Sequence, residues 1–128
     1  MNRIVLDASA LLAVVNNEPG ADTLTPELLN GAVGGAVNLA EVQRKLVYRG
    51  IPARDAWEIA LSPIREVVAF TAEQARIAGD LVAKTRLLGL SLGDRACLAL
   101  GIVLHAPVYT ADASWKKLNL GIRIHVIR

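Results

Sequence analysis

The sequence has few of the residues that build redox centres or thiolate zinc sites. It contains one cysteine, Cys97, and two histidines, His105 and His125. A single cysteine excludes an internal disulfide and a zinc site built from several thiolates. Because soft ligands are so scarce, a bound metal ion would be held by oxygen atoms, which favours Mg²⁺ or Mn²⁺. An unpaired cysteine is also typical of a cytoplasmic protein.

Long apolar runs and a strong excess of one charge are missing too. The longest apolar run covers residues 96–104, whereas a membrane span needs roughly 18–20 residues. Asp7 interrupts the first apolar stretch too early for a signal peptide. The 14 lysines and arginines against 12 acids give a net charge of +2, which does not by itself indicate a nucleic-acid partner. We therefore expect one cytoplasmic domain over residues 1–128 that does not enter a membrane.

The chain is rich in short aliphatic segments. It is 53% hydrophobic and only 4% aromatic, so it has enough apolar surface to exclude disorder. The pattern predicts short strands, with helices between them, at residues 4–6, 66–70, 107–109 and 123–127, and a weaker strand that ends near residue 37. The longest predicted helix covers residues 71–88. This alternation predicts an α/β fold, a single three-layer domain whose parallel sheet of about five strands is flanked by helices.

Acidic residues lie close to the ends of the predicted strands. Asp7 directly follows the first strand, Glu41 lies in the first turn of the helix after the second, and Asp112 follows Tyr109 by three residues. Asp94 begins a helix that follows another helix, so the fold must bring it to the others. Ligands of parallel sheets bind outside the carboxyl ends of the strands. We therefore expect the four acids to converge on one crevice at that edge. Four carboxylates together would repel each other unless a divalent cation were bound, so the crevice would be a metal site.

Each acid also has a simpler interpretation as a helix cap. A capping box joins a polar N-cap residue to an acid three positions later. The residues with cap-like placement are Asn38 with Glu41, Ser91 with Asp94, Asp112 as an N-cap, and Asp7 before Ser9. Caps of this kind serve helices wherever they lie, whereas a metal site requires the acids to meet. The residues alone leave both interpretations open.

Four segments, in order, resemble the motifs of the PIN-domain family. They are residues 5–13 (VLDASALLA), 38–42 (NLAEV), 89–100 (GLSLGDRACLAL) and 109–116 (YTADASWK). Each motif is weak alone, but the ordered set over the whole chain is specific. The branch that the chain resembles most is the VapC-like toxins of type II toxin–antitoxin systems.

This resemblance implies a PIN-like fold and an endoribonuclease that depends on Mg²⁺ or Mn²⁺ and cleaves RNA phosphodiester bonds. It also implies a homodimer and an antitoxin protein whose C-terminal segment blocks the site. The residues that it places at the metal as catalytic ligands are Asp7, Glu41, Asp94 and Asp112. The residues that it assigns to supporting hydrogen bonds are Ser9, Asn38 and Thr110.

Two features bear on how such a protein would hold RNA. Arg95, beside the acids on the third motif, is a possible RNA contact or a solvated helix residue. Relatives commonly carry an arginine after the last aspartate, whereas this chain has residues 113–115 (ASW) there. This departure removes one cation from the mouth of the site and leaves the acids themselves intact.

Other functions with acids at strand ends fit less well. A phosphate-accepting receiver domain needs an aspartate at the end of its middle strand, and residues 67–70 contain none. A nucleotide-binding module needs a glycine-rich loop after the first strand, which is also missing. The remaining alternative keeps the fold and gives a catalytically weak PIN-fold protein that binds RNA or has a regulatory role.

Overall fold

The computed structural model describes residues 2–128 and contains one sheet of parallel strands. The strands are β1 (Ile4–Leu6), β2 (Ala32–Gly35), β3 (Glu66–Val68), β4 (Val108–Thr110) and β5 (Ile124–Val126). Their order in the sheet is β3-β2-β1-β4-β5. The chain therefore adds strands on one side of β1 and then crosses to the other side. The point of reversal lies between β1 and β4, where Val5 is opposite Val108.

Helices cover both faces of the sheet, which confirms the predicted α/β fold. They are α1 (Ala8–Val15), α2 (Pro26–Leu29), α3 (Ala36–Tyr48), α4 (Ala53–Leu61), α5 (Ala72–Asp80), α6 (Val82–Thr85) and α7 (Leu92–Leu104). Short 3₁₀ helices cover residues 21–23, 86–88 and 113–117. Within residues 2–128, no helix combines the length and the apolar character that crossing a membrane requires.

The helix predicted over residues 71–88 is divided into α5, α6 and a 3₁₀ turn. The hydroxyl of Thr85 donates to the carbonyl of Leu81 at 2.8 Å, one turn earlier. Such hydrogen bonds to the backbone compete with the regular helical pattern and bend helices.

The central strand contributes to a core on each face of the sheet. Leu6 packs in the core beneath α1, α3 and α4, and Val5 packs in the core that α7 covers. Both side chains are fully buried, since alternate residues of a strand point to opposite faces. A strand buried on both faces has no polar position until it ends, so the first polar side chain after β1 is that of Asp7.

The start of α3 differs from the prediction. β2 ends at Gly35 and α3 begins at Ala36, with Gly35 as an N-cap that makes no side-chain hydrogen bond. Asn38 is therefore a buried residue of the first helical turn, and the interpretation of Asn38 and Glu41 as a capping box is wrong. This shift turns the Asn38 side chain inward, towards α7.

Candidate active site

Asp7 lies at the carboxyl end of β1, beside the point where the strand order reverses. One carboxylate oxygen, Oδ1, accepts hydrogen bonds from the Ala10 backbone N–H at 2.8 Å and from the Ser9 hydroxyl at 2.7 Å. The other, Oδ2, accepts from the Thr110 hydroxyl at 2.6 Å. Asp7 thus caps α1, as the simpler interpretation predicted, and also joins the ends of β1 and β4.

Burial makes the negative charge of Asp7 costly. The residue is 3% exposed, and desolvation raises the pKa of its carboxyl to about 6 even though Thr110, Ala10 and Ser9 donate hydrogen bonds to it. The negative charge of Asp94 raises this pKa further. Among residues 2–128, no lysine, arginine or histidine forms an ion pair with Asp7. A cation at this place would therefore meet a carboxylate that lacks a positive partner.

Ser9 and Thr110 extend the same hydrogen-bond network to Asp112. The Ser9 hydroxyl oxygen accepts from the Ala111 N–H at 2.8 Å, and the Thr110 hydroxyl oxygen accepts from the Asp112 N–H at 3.0 Å. The exposed carboxylate of Asp112 accepts from the N–H and the hydroxyl of Ser114 at 2.9 and 2.7 Å. Asp112 is thus the N-cap of the 3₁₀ helix at residues 113–117.

Asn38 connects Glu41 to the first turn of α7. Its side-chain N–H groups donate to Glu41 Oε1 at 3.1 Å and to the Gly93 carbonyl at 3.1 Å. Its amide oxygen is buried and has no hydrogen-bond partner within residues 2–128. Buried acceptors are normally paired, so a donor or a cation next to Glu41 would satisfy this atom.

Gly93 leaves room for the Glu41 side chain, which reasoning from the sequence missed. A Cβ added there would overlap the carboxylate of Glu41, so this carboxylate occupies the space that a side chain would fill. The visible signal was a glycine immediately before Asp94 near the start of a helix, where glycine is otherwise unfavourable. Its meaning depends on Glu41, which comes from a different helix.

Asp94 forms the predicted capping box with Ser91. The Ser91 hydroxyl accepts from the Asp94 N–H at 3.1 Å, and Asp94 Oδ2 accepts from the Ser91 N–H at 3.0 Å. Capping does not exclude metal binding, because a carboxylate has two oxygens and about four lone-pair positions. Both interpretations therefore remain compatible for this residue.

Cys97 shows which acids lie around the beginning of α7. Burial raises the pKa of its thiol well above the ordinary value, and the charges of Asp7, Asp94 and Glu41 raise it further. The fourth acid, Asp112, is connected to Asp7 by hydrogen bonds through the Thr110 hydroxyl. In the part of the chain that the structure describes, no three side chains of His, Cys, Asp or Glu are close enough to form a ready metal site. Convergence of all four acids on one ion stays a prediction.

Arg95 holds two helices together. Its guanidinium donates to the Ala78 carbonyl of α5 at 2.7 Å, and the side chain is partly buried. In this position the guanidinium satisfies a carbonyl group near the end of α5. An RNA contact by Arg95 stays a prediction, and it would require the side chain to leave Ala78.

The raised pKa of Asp7 predicts an unusual dependence of stability on pH. In chelator, Asp7→Asn should be more stable than the wild type at pH 7.5, by about 2–3 kcal/mol. The unfolded state ionises near pH 4, whereas the folded state ionises near pH 6. The wild type therefore loses stability as the pH rises from about 4 to about 6, and asparagine does not ionise.

Urea unfolding at several pH values between 4 and 7.5 measures this difference. Asp55→Asn is the control, since it makes the same change at an exposed position of α4. The stability difference for Asp7→Asn should vanish near pH 4. If the free energy of unfolding changed with pH in the same way for the wild type and for Asp7→Asn, the prediction would be contradicted.

The comparisons with known proteins agree with this architecture. The family model of the PIN domain matches residues 4–120, and the chain belongs to the PIN-domain family. No curated protein is significantly similar to it in sequence.

Several solved toxin–antitoxin structures share its fold. DNA-bound VapBC of Salmonella typhimurium matches with a TM-score of 0.77 and 15% identity, covering 100% of both chains. VapBC2 of Rickettsia felis, bound to a promoter DNA fragment, matches with a TM-score of 0.73 and 18% identity, over 94% of this chain and 96% of the other. VapC20 of Mycobacterium tuberculosis, a sarcin–ricin loop cleaving toxin, matches with a TM-score of 0.72 and 21% identity, over 94% of this chain and 98% of the other.

Proposed function

We propose that this PIN-domain protein is an endoribonuclease that depends on Mg²⁺ or Mn²⁺ and is the toxin of a type II toxin–antitoxin system. The observation that carries the proposal is the buried carboxylate of Asp7 at the reversal point of the sheet. The Ser9 hydroxyl at the start of α1 and the Thr110 hydroxyl at the end of β4 donate to it, and it has no cationic partner among the described residues. The cleaving toxin VapC20 and the VapBC complexes, which share the fold, support the nuclease and toxin roles.

The donor atoms fit a hard divalent cation. The proposed ligands are oxygen atoms of Asp7, Glu41, Asp94 and Asp112, and magnesium prefers such oxygen ligands. The unpartnered amide oxygen of Asn38, beside Glu41, adds a further acceptor. When bound, the ion would activate water and neutralise charge on a phosphodiester.

The residues around the acids have positioning roles in this proposal. Ser9 and Thr110 hold the two oxygens of Asp7 in fixed directions. Asn38 and Gly93 set the position of Glu41 against α7. Both histidines line a cavity at the other edge of the sheet, so neither lies where it could act as a general base for this site.

The proposed partners are an RNA substrate and a cognate antitoxin, and the proposed assembly is a homodimer. VapBC complexes among the proteins that share the fold support the antitoxin. The alternative is a catalytically weak protein of the same fold that binds RNA or has a regulatory role. It shares every structural feature described so far, so only a measurement of activity separates the two.

The test is cleavage of a mixed RNA substrate by the purified chain, freed of antitoxin. We expect cleavage in Mg²⁺ or Mn²⁺, none in chelator, and recovery when the metal is restored. Binding of RNA without cleavage in either metal would favour the regulatory alternative. Cleavage that continues in chelator would contradict the metal-dependent mechanism, once a contaminating nuclease is excluded by a mock purification.

A further inference from the structure

A cavity of about 580 Å³ opens at the amino edge of the sheet, opposite the acids. Arg3 precedes β1, Pro107 precedes β4 and Arg123 precedes β5, and all of these residues line it. Its volume lies in the range of small-molecule sites, about 300–1,000 Å³. The side chains that the inference uses are those of Arg3, Leu28, His105, Tyr109, Arg123 and His125.

The charged groups of this amino-edge cavity are of one sign. Its lining contains the arginines Arg3 and Arg123 and no carboxylate, and both histidines of the chain contribute ring nitrogens. Arg123 is exposed and forms no ion pair within residues 2–128. Arg3 makes one long ion pair with Glu66, 3.8 Å between half-exposed groups, and such pairs hold their partners weakly. The cavity therefore favours an anion.

The carboxyl end of α7 also lies at this edge, and its last carbonyl groups weaken the attraction for an anion even where they are hydrogen-bonded. Two of them are occupied: the Gly101 carbonyl accepts from the Ala106 N–H at 3.0 Å, and the Ile102 carbonyl accepts from the His105 N–H at 3.2 Å. His105 has φ 52° and ψ 42°, a left-handed conformation in which glycine is usual. The chain thus places an imidazole at the cavity where a glycine would be the easier residue.

An aromatic wall lies beside the cations. The rings of Tyr109 and His125 are stacked with centroids 4.6 Å apart and planes inclined by 21°. They belong to opposite positions of β4 and β5, and the apolar side chain of Leu28 also lines the cavity. Planar groups pack well on such stacked rings.

We propose that this cavity binds a nucleotide. Arg3, His105 and Arg123 would hold the phosphate, and the base would pack against the partly exposed ring of His125, which is backed by the buried ring of Tyr109. A nucleotide combines an anionic group with a flat aromatic ring. It would be supplied either as a free nucleoside monophosphate or as one unit of an RNA strand. The proposal does not depend on nuclease activity, because the acids lie at the other edge of the sheet.

Isothermal titration in chelator tests the ligand class, using adenosine 5′-monophosphate, adenosine and inorganic phosphate as separate probes. Chelator removes any metal that could attract phosphate to the acids. We expect the monophosphate to bind at least about tenfold more tightly than either adenosine or phosphate, since only it engages both parts of the cavity. Equal binding of phosphate and monophosphate, or no binding of the monophosphate, would overturn the proposal.

Matched arginine variants test the place of binding. Arg123→Gln should weaken binding of the monophosphate about tenfold or more, because it removes a charged hydrogen-bond donor. Arg54→Gln makes the same change at an exposed position of α4 outside the cavity and should leave binding unchanged. His125→Leu, checked for folding by thermal melting, should remove the preference for the monophosphate over phosphate. Equal effects of Arg123→Gln and Arg54→Gln would show that binding is nonspecific.

A short single-stranded RNA distinguishes the two sources of the nucleotide. The titration uses Asp7→Asn protein, which we expect not to cut the strand. If Arg123→Gln in that background weakens RNA binding as much as it weakens monophosphate binding, the ligand is a unit of RNA. If only monophosphate binding falls, the ligand is a free nucleotide. Failure of the proposed nuclease activity would leave all these binding measurements interpretable.

Discussion

Asp7→Asn is expected to reduce RNA cleavage in Mg²⁺ by a factor on the order of 10³ or more. The substitution preserves the size of the side chain, and an amide oxygen can still accept the hydrogen bond from the Ala10 N–H that caps α1. It removes the negative charge, and a neutral amide oxygen is a poorer ligand for a hard cation. The loss should therefore be one of metal-dependent activity alone.

The stability prediction makes this experiment more decisive. Because burial raises the pKa of Asp7, the asparagine variant should be inactive and yet more stable than the wild type without metal. Unfolding of the variant could not then explain its lost activity. Asp55→Asn, which changes an exposed acid on α4, should retain wild-type cleavage. Wild-type cleavage by Asp7→Asn would contradict a catalytic role for the Asp7 charge.

The fold was predictable because it depends on local pattern. Short aliphatic runs alternate with helical segments, and the first of them, β1, is apolar at every position and fully buried. The first polar residue after such a run must lie at the end of the strand, which is why Asp7 could be placed correctly. The caps made by Ser91 and Asp112 are equally local and were predicted from their spacing alone.

The errors arose where distant segments decide the structure. Asparagine is a preferred N-cap, so Asn38 was predicted to begin a helix. In the structure the helix has already begun at Ala36, and the Asn38 side chain bonds to Gly93, which is 55 residues away. Neither this contact nor the space that Gly93 leaves for Glu41 follows from any spacing within one segment.

Gly93→Ala is expected to reduce RNA cleavage about 10- to 100-fold while leaving the protein folded. The new methyl group would occupy the position of the Glu41 carboxylate, which lies at the end of a flexible side chain and can move. Displacement of a catalytic group by about 1 Å can lower a rate by roughly 10²-fold. The backbone has no reason to shift, because the atoms nearest the added Cβ all belong to that carboxylate.

Gly79→Ala is the matched control for this variant. Gly79 is also a helical glycine, and a Cβ there would meet no atom within 4 Å. Alanine is more favourable than glycine inside a helix by about 1 kcal/mol, so Gly79→Ala should raise the melting temperature and leave cleavage unchanged. Gly93→Ala should instead separate the two measurements, with little change in melting temperature and a clear fall in cleavage rate.

The combination of melting and cleavage data decides between the two interpretations of this segment. If Gly93 serves only the packing of α3 against α7, Gly93→Ala should lower stability and activity together. If it serves the position of Glu41, activity should fall alone, and the additional loss caused by Glu41→Gln should be smaller in Gly93→Ala than in the wild type, since a displaced carboxylate contributes less. Fully additive effects of the two substitutions would show that Gly93 acts independently of Glu41.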